Sequence, residues 1–172
     1  MKLWKRPILY ILLFLSCSLT IFAGPSIDRV SYLIRGDFNN VDSLQIKLED
    51  RLDNINTLGL LALYDGNSFK LEGDWQIEFL KRPTYRMKLA FIFPLDLADL
   101  HLGKGLGFAG ESFYSTINRF TWNLKYFFDA DRWVYDLGMT HPIYEDASLI
   151  IGVGNNYWDR ENKLFFGFKV GI

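Results

Sequence analysis

Cysteine is almost absent from this chain. Of 172 residues one is cysteine, Cys17, and only two are histidine, His101 and His141. No disulfide framework can be built from one thiol, and two histidines forty positions apart have no metal-ligand spacing. After residue 24 no stretch reaches the ~18 uninterrupted apolar residues of a membrane-spanning helix. Clustered basic charge is missing too, which argues against nucleic acid as a partner. The stretch GKGLGFAG at 103–110 lacks the spacing and the strand-to-helix setting of a phosphate cradle. The residues therefore assign no cofactor and no metal.

The first residues, MKLWKRPILYILLFLSCSLTIFAG, supply a basic start at Lys2, Lys5 and Arg6 and then an apolar run from Ile8. That layout predicts a secretory signal peptide over 1–23, ending at Ala23 before Gly24-Pro25. An uncleaved anchor and a lipid attachment at Cys17 are the competing readings. The leader holds three of the 19 basic residues and no acidic one, so residues 24–172 carry 16 basic against 20 acidic residues, a net charge of −4. This single mature domain would contain no thiol, so sheet closure or a bilayer must hold it.

What is abundant is aromatic side chain, 17% of residues, set in alternation. In SFKLEGDWQIEF (68–79), Phe69, Leu71, Trp75, Ile77 and Phe79 alternate with Lys70, Glu72, Asp74, Gln76 and Glu78. Successive side chains on a strand point to opposite faces, so one face is oily and the other charged. The same pattern recurs over 29–38, 43–52, 85–93, 118–128, 133–139, 149–153 and 163–172. Turns are expected at 39–42, Asp53-Asn54, Asp65-Gly66, 81–83, 129–131 and 155–162. Residues 56–64 are apolar on both sides, which leaves their facing open. Residues 94–116 remain open between a long loop, a short helix and a glycine-rich strand near 100–109. In the strand reading His101, Gly103, Gly105, Gly107 and Ala109 share a face and suit a crowded interior. As the longest connection, this stretch is also where a partner-binding surface is expected.

The count is nine strands, or ten with 100–109, and an even number returns both ends to one side. We expect an all-β, antiparallel up-and-down transmembrane barrel of about ten strands over 24–172, eight remaining open. Ten-residue strands tilted near 40° cover an apolar band of about 25 Å. Bulky Phe, Trp and Tyr would overfill a small barrel if they pointed inward. A polar lumen network is expected from Lys47, Glu49, Lys70, Glu72, Glu78, Arg86 and Lys88. Aromatic girdles are expected from Phe79, Tyr85, Phe93, Tyr126–Phe128, Trp133, Tyr157 and Trp158.

On this alternation, and on Gly167, Val170 and Ile172 at the chain end, the sequence resembles small bacterial outer-membrane β-barrel proteins. Those three residues match the glycine and the terminal hydrophobic places of that group's assembly signal, although the group usually ends in an aromatic residue. The resemblance implies residence in the outer membrane, contact with its lipid and insertion by the barrel-assembly machinery. It implies a non-catalytic structural, adhesive or narrow-channel role. Two alternatives stand beside it. Gly73-x-Trp75 superficially matches a lipocalin signature, which would make the chain a secreted soluble carrier of a hydrophobic ligand. Ser112 or Ser115 with His101 would be the closest pair for a lipid A-modifying barrel enzyme, although no nucleophile motif surrounds either serine.

Overall fold

The computed structural model describes residues 27–36, 41–115 and 118–171. The expected leader (1–23), Asn39, Asn40 and Ile172 lie outside the described residues. The strands are β1 (Arg29–Gly36), β2 (Val41–Arg51), β3 (Asn56–Tyr64), β4 (Phe69–Lys81), β5 (Tyr85–Asp96), β6 (His101–Leu102), β7 (Gly105–Phe113), β8 (Arg119–Phe127), β9 (Arg132–Pro142), β10 (Ala147–Gly154) and β11 (Lys163–Gly171).

Each pairs antiparallel with its neighbour, β1 pairs with both β2 and β11, and β4 pairs with β5. Ten strands thus close on themselves, while two-residue β6 pairs only with the end of β5. The turns after β2, β4, β7 and β9 share one end with both termini, which we call the terminal end. The connections after β1, β3, β5, β8 and β10 form the loop end.

The sequence 94–116 is neither one loop nor a helix. Residues 94–96 complete β5, and β7 stands in the wall between β5 and β8. Its inward face is small because the lumen is full. A Cβ on Gly105 would lie 2.8 Å from the ring of Phe127 and 3.0 Å from the carbonyl oxygen of Tyr126. A partner surface confined to 94–116 loses its basis, since the stretch is mostly barrel wall. Of the expected turn at 39–42, Val41 and Asp42 belong instead to β2, beyond a register shift at Arg35/Gly36. Asp65-Gly66 does turn the chain: the Asp65 carboxylate accepts the Asn67 and Ser68 amides at 3.0 and 2.9 Å, and Gly66 has φ 91°.

Register settles the facing. Lys47 pairs with Leu61, Leu61 with Glu72 and Glu72 with Pro94, so all four point inward. In β3, Leu63 is therefore buried inside, while Leu58 and Leu60 are exposed outside. Trp75, Phe91, Phe108, Phe166 and Phe168 also stand on the exposed outer face. The soluble-carrier alternative required the reverse arrangement, with the oily row inside. Trp75 sits mid-strand in β4, at 43% exposure. Trp75→Arg should cost about 2–4 kcal/mol of stability in lipid, measured by urea titration of barrels refolded into vesicles. A change near zero would remove lipid from that face.

Candidate functional site

Inside the barrel lies a cavity of about 250 Å³. Among the described residues, seven cationic and five anionic side chains line it. Buried charge is costly unless paired, and the pairs here cross the lumen. Arg35 on β1 donates to Asp136 on β9 at 2.5 Å, and Lys125 on β8 donates to Glu72 on β4. Lys47 reaches Glu49 at 3.0 Å and Asp74 at 3.5 Å. Gly59 makes room for the last of these, since a Cβ there would lie 2.6 Å from the Asp74 carboxylate. Lys88 donates to Gln76 at 3.0 Å.

Five of the seven residues expected in the lumen network line the cavity: Lys47, Glu49, Glu72, Arg86 and Lys88. Lys70 faces the loop end, where it donates to Asp65 at 2.5 Å, and Glu78 lies 3.7 Å from Lys81 at the terminal end. The expectation left out Arg29, Arg35, Asp74, Gln76, Glu111, Lys125, Asp136 and Lys169, which line the cavity with them. Their signal was present in the alternation, since each occupies a polar place opposite an apolar row. Gly167 pairs with Leu33 and Ile150, and Val170 is on the outer face.

Above the charged zone the lumen turns apolar. Ala90, Ile92, Phe127 and Val134 form a buried cluster, against which Tyr157 and Ala130 pack. Phe127 and Tyr157 stack with ring centroids 4.7 Å apart. Arg132 holds the 155–162 connection over this stopper by donating to the carbonyls of Asn156, Tyr157 and Asp159 at 2.6, 2.8 and 2.5 Å. Phe127, Tyr157 and Trp158 are therefore not girdle residues. Phe127 points inward by strand parity, and Arg132 ties the segment that carries Tyr157 and Trp158. Tyr126, Phe128 and Trp133 do meet at the outer rim, with centroids 5.0–5.4 Å apart.

One carboxylate ties three loop-end connections together. Asp129 accepts from the Tyr157 hydroxyl and from the Lys104 amide at 3.0 Å, and His101 Nε2 lies 3.2 Å away. Burial raises the pKa of Asp129, but these donors outweigh it and hold the carboxyl below the ordinary aspartate value. Burial, with Asp129 as acceptor, pushes the Tyr157 hydroxyl up to about 12.

The lumen offers no hydrolytic constellation at the serines named from the sequence. His101 pairs with Asp96, the last residue of β5, whereas Ser112 pairs with Tyr85, the first. Eleven steps of ~3.3 Å put them roughly 36 Å apart along the wall. Ser115 is in the β7–β8 connection, where its hydroxyl accepts the Asn118 amide. Among the described residues, no group of three His, Cys, Asp or Glu side chains is placed to hold a metal.

No protein-family model and no curated protein matches the sequence. Solved structures do match. A KdgM porin superposes with a TM-score of 0.59 over 84% of this chain and 99% of its own, at 8% identity. A KdgM porin in complex with disordered oligogalacturonate gives 0.58 at 9% identity, with the same coverage. The chain shares with these porins the fold of a closed, antiparallel ten-strand barrel. At these identities the likeness is one of fold.

Two outcomes test the barrel's interior. Glu72→Leu alone should destabilise it by about 3–5 kcal/mol, because Lys125 is left buried and unpaired, and adding Lys125→Met should restore most of that. Urea titrations of the four species read the cycle. For Asp129, a folded pKa below the unfolded one means its contribution is complete above about pH 4 and is lost as pH falls through the lowered value. Acid titration of tryptophan emission, sensitive to Trp158, should show loop-end loosening in that window that Asp129→Asn lacks.

Proposed function

We propose that this chain is an outer-membrane protein forming a narrow polar passage, held shut at its loop end. One observation carries the reading: a closed barrel with an apolar outer belt encloses a cavity lined by charges of both signs. The fold shared with KdgM porins supports a channel role, and the expected signal peptide supplies export. One of those neighbours was solved in complex with disordered oligogalacturonate. An extended solute needs a continuous lumen, and here Phe127 and Tyr157 interrupt it. The passage accordingly serves small polar solutes and conducts only when the 155–162 segment lifts. Export through the periplasm and insertion by the barrel-assembly machinery belong to the same proposal.

A permanently plugged, structural barrel is the second reading, and the same stopper favours it. Planar-bilayer recording separates the two. The wild-type protein should show rare or small steps, and Arg132→Ala combined with Tyr157→Ala should raise the conductance severalfold. Silence from that loosened variant would leave the plugged barrel standing.

A further inference from the structure

We propose that the cavity is a binding pocket for one compact oxyanion, a carboxylate or a phosphate, held by Arg35 and Gln45 and entered from the terminal end. Among the described residues, five buried side-chain atoms have no hydrogen-bond partner: Nε and Nη1 of Arg35, Nε2 of Gln45, Nε of Arg86 and Nε1 of Trp158. All five are N–H donors. Four of them belong to residues that line the cavity. Arg35 is 4% exposed and Gln45 3%, so bulk water does not reach these donors freely. Buried donors without an acceptor are costly, and a shared deficit of acceptors specifies the missing group by its chemistry.

Charge decides between a neutral acceptor and an anion. Seven cations against five anions leave the cavity lining positive. Lys88 and Lys169 each lie within electrostatic reach of Arg29 and Lys47, with Glu49 the carboxylate common to the two lysines and Glu111 near Lys169. The Arg35 guanidinium is also fixed in advance. Its Nη2 is held by Asp136 at 2.5 Å, and its central carbon lies 4.9 Å from the Phe165 ring centroid. A held guanidinium with free N–H groups is a pre-organised oxyanion receptor, for which little ordering remains to be done on binding.

Geometry sets the size and the door. The apolar cluster around Phe127 closes the cavity at the loop end, so a chain-like solute cannot thread it in this state. Side chains near the terminal end are the more open cations, Lys47 at 24% and Lys169 at 26% against 5% for Arg35, although Asp136 beside Arg35 is also 24% exposed. A single carboxylate or phosphate entering there meets a positive mouth first and the free donors deeper in.

The pocket rests on the polar-cavity part of the proposed function and does not require conduction. The barrel, refolded in detergent micelles, is titrated calorimetrically with sodium phosphate in one arm and sodium acetate in the other, at fixed ionic strength. Saturable uptake of one equivalent is expected in at least one arm, and the arm that responds names the anion. Arg35→Gln and Gln45→Leu should each weaken it about tenfold or more, while Arg82→Gln in the β4–β5 turn leaves it unchanged. If Arg35→Gln fails to fold, Gln45→Leu carries the test alone, since it alters no charge. No uptake in either arm, or uptake indifferent to both cavity variants, overturns the pocket. Binding without conductance in the loosened loop-end variant would sink the passage and keep the pocket; conductance without binding would do the opposite.

Discussion

Every backbone amide and carbonyl within a hydrocarbon layer must find its partner inside the protein. In the membrane setting proposed above, that constraint organises this molecule. A sheet meets it only by closing, and the pairings β1–β11 and β4–β5 leave the ten wall strands without a free edge. Closure in turn holds each strand to parity, outside the register shifts at Arg35/Gly36 and Glu78/Leu80, because a strand paired on both sides cannot rotate one side chain to the other face. Once lipid claims the row of Trp75, Ile77 and Phe168, the intervening row has only the lumen to occupy.

The lumen is too narrow to hydrate a dozen charges fully, so their arrangement follows from that confinement. Lys125–Glu72 and Arg35–Asp136 each join strands three places apart around the wall and so tie the barrel across its interior. Such ties cost desolvation, and a hydrophobic filling could equal them in stability. What they leave is a polar cavity, which an apolar filling would close. The glycines at 59 and 105 belong to the same economy of space, since each removes a side chain where a carboxylate or a ring from the next strand arrives.

Much of this was legible before any coordinates. Alternation over 68–79 and 85–93 gives both the strand and its facing, because parity needs no tertiary knowledge. Residues 56–64 defeated the same reading, since Leu61 and Leu63 are apolar yet face inward. Leu61 lines the cavity between Lys47 and Glu72, and no local pattern announces an apolar place in that row. The 94–116 stretch was opaque because its glycines look like a loop, whereas their smallness answers to Phe127 and Ile92 on other strands. Tyr157 and Trp158 were misplaced for a related reason. Their sequence fits a boundary girdle, but Arg132, twenty-five positions earlier, ties the segment that carries them. The charged residues of the cavity were readable as a polar face. Which of them pair and which keep free donors depends on strand neighbours around the whole circle.

The two ends of the barrel are chemically unlike, and this asymmetry bears on which way solute enters. At the loop end, rings and Ile92 are packed dry, and Asp129 and Arg132 hold the connections together by hydrogen bonds. At the terminal end, next to short turns, stand the cavity-lining residues Arg29, Lys169 and Glu111. A cation-rich mouth in a low-dielectric wall raises the local concentration of anions and speeds their arrival. A dry stopper does the reverse for any charged species, because passing it means losing hydration with no donor in return. For the passage proposed above, entry without exit is therefore the resting condition. Only displacement of a connection held by three hydrogen bonds from Arg132 would convert the pocket into a path.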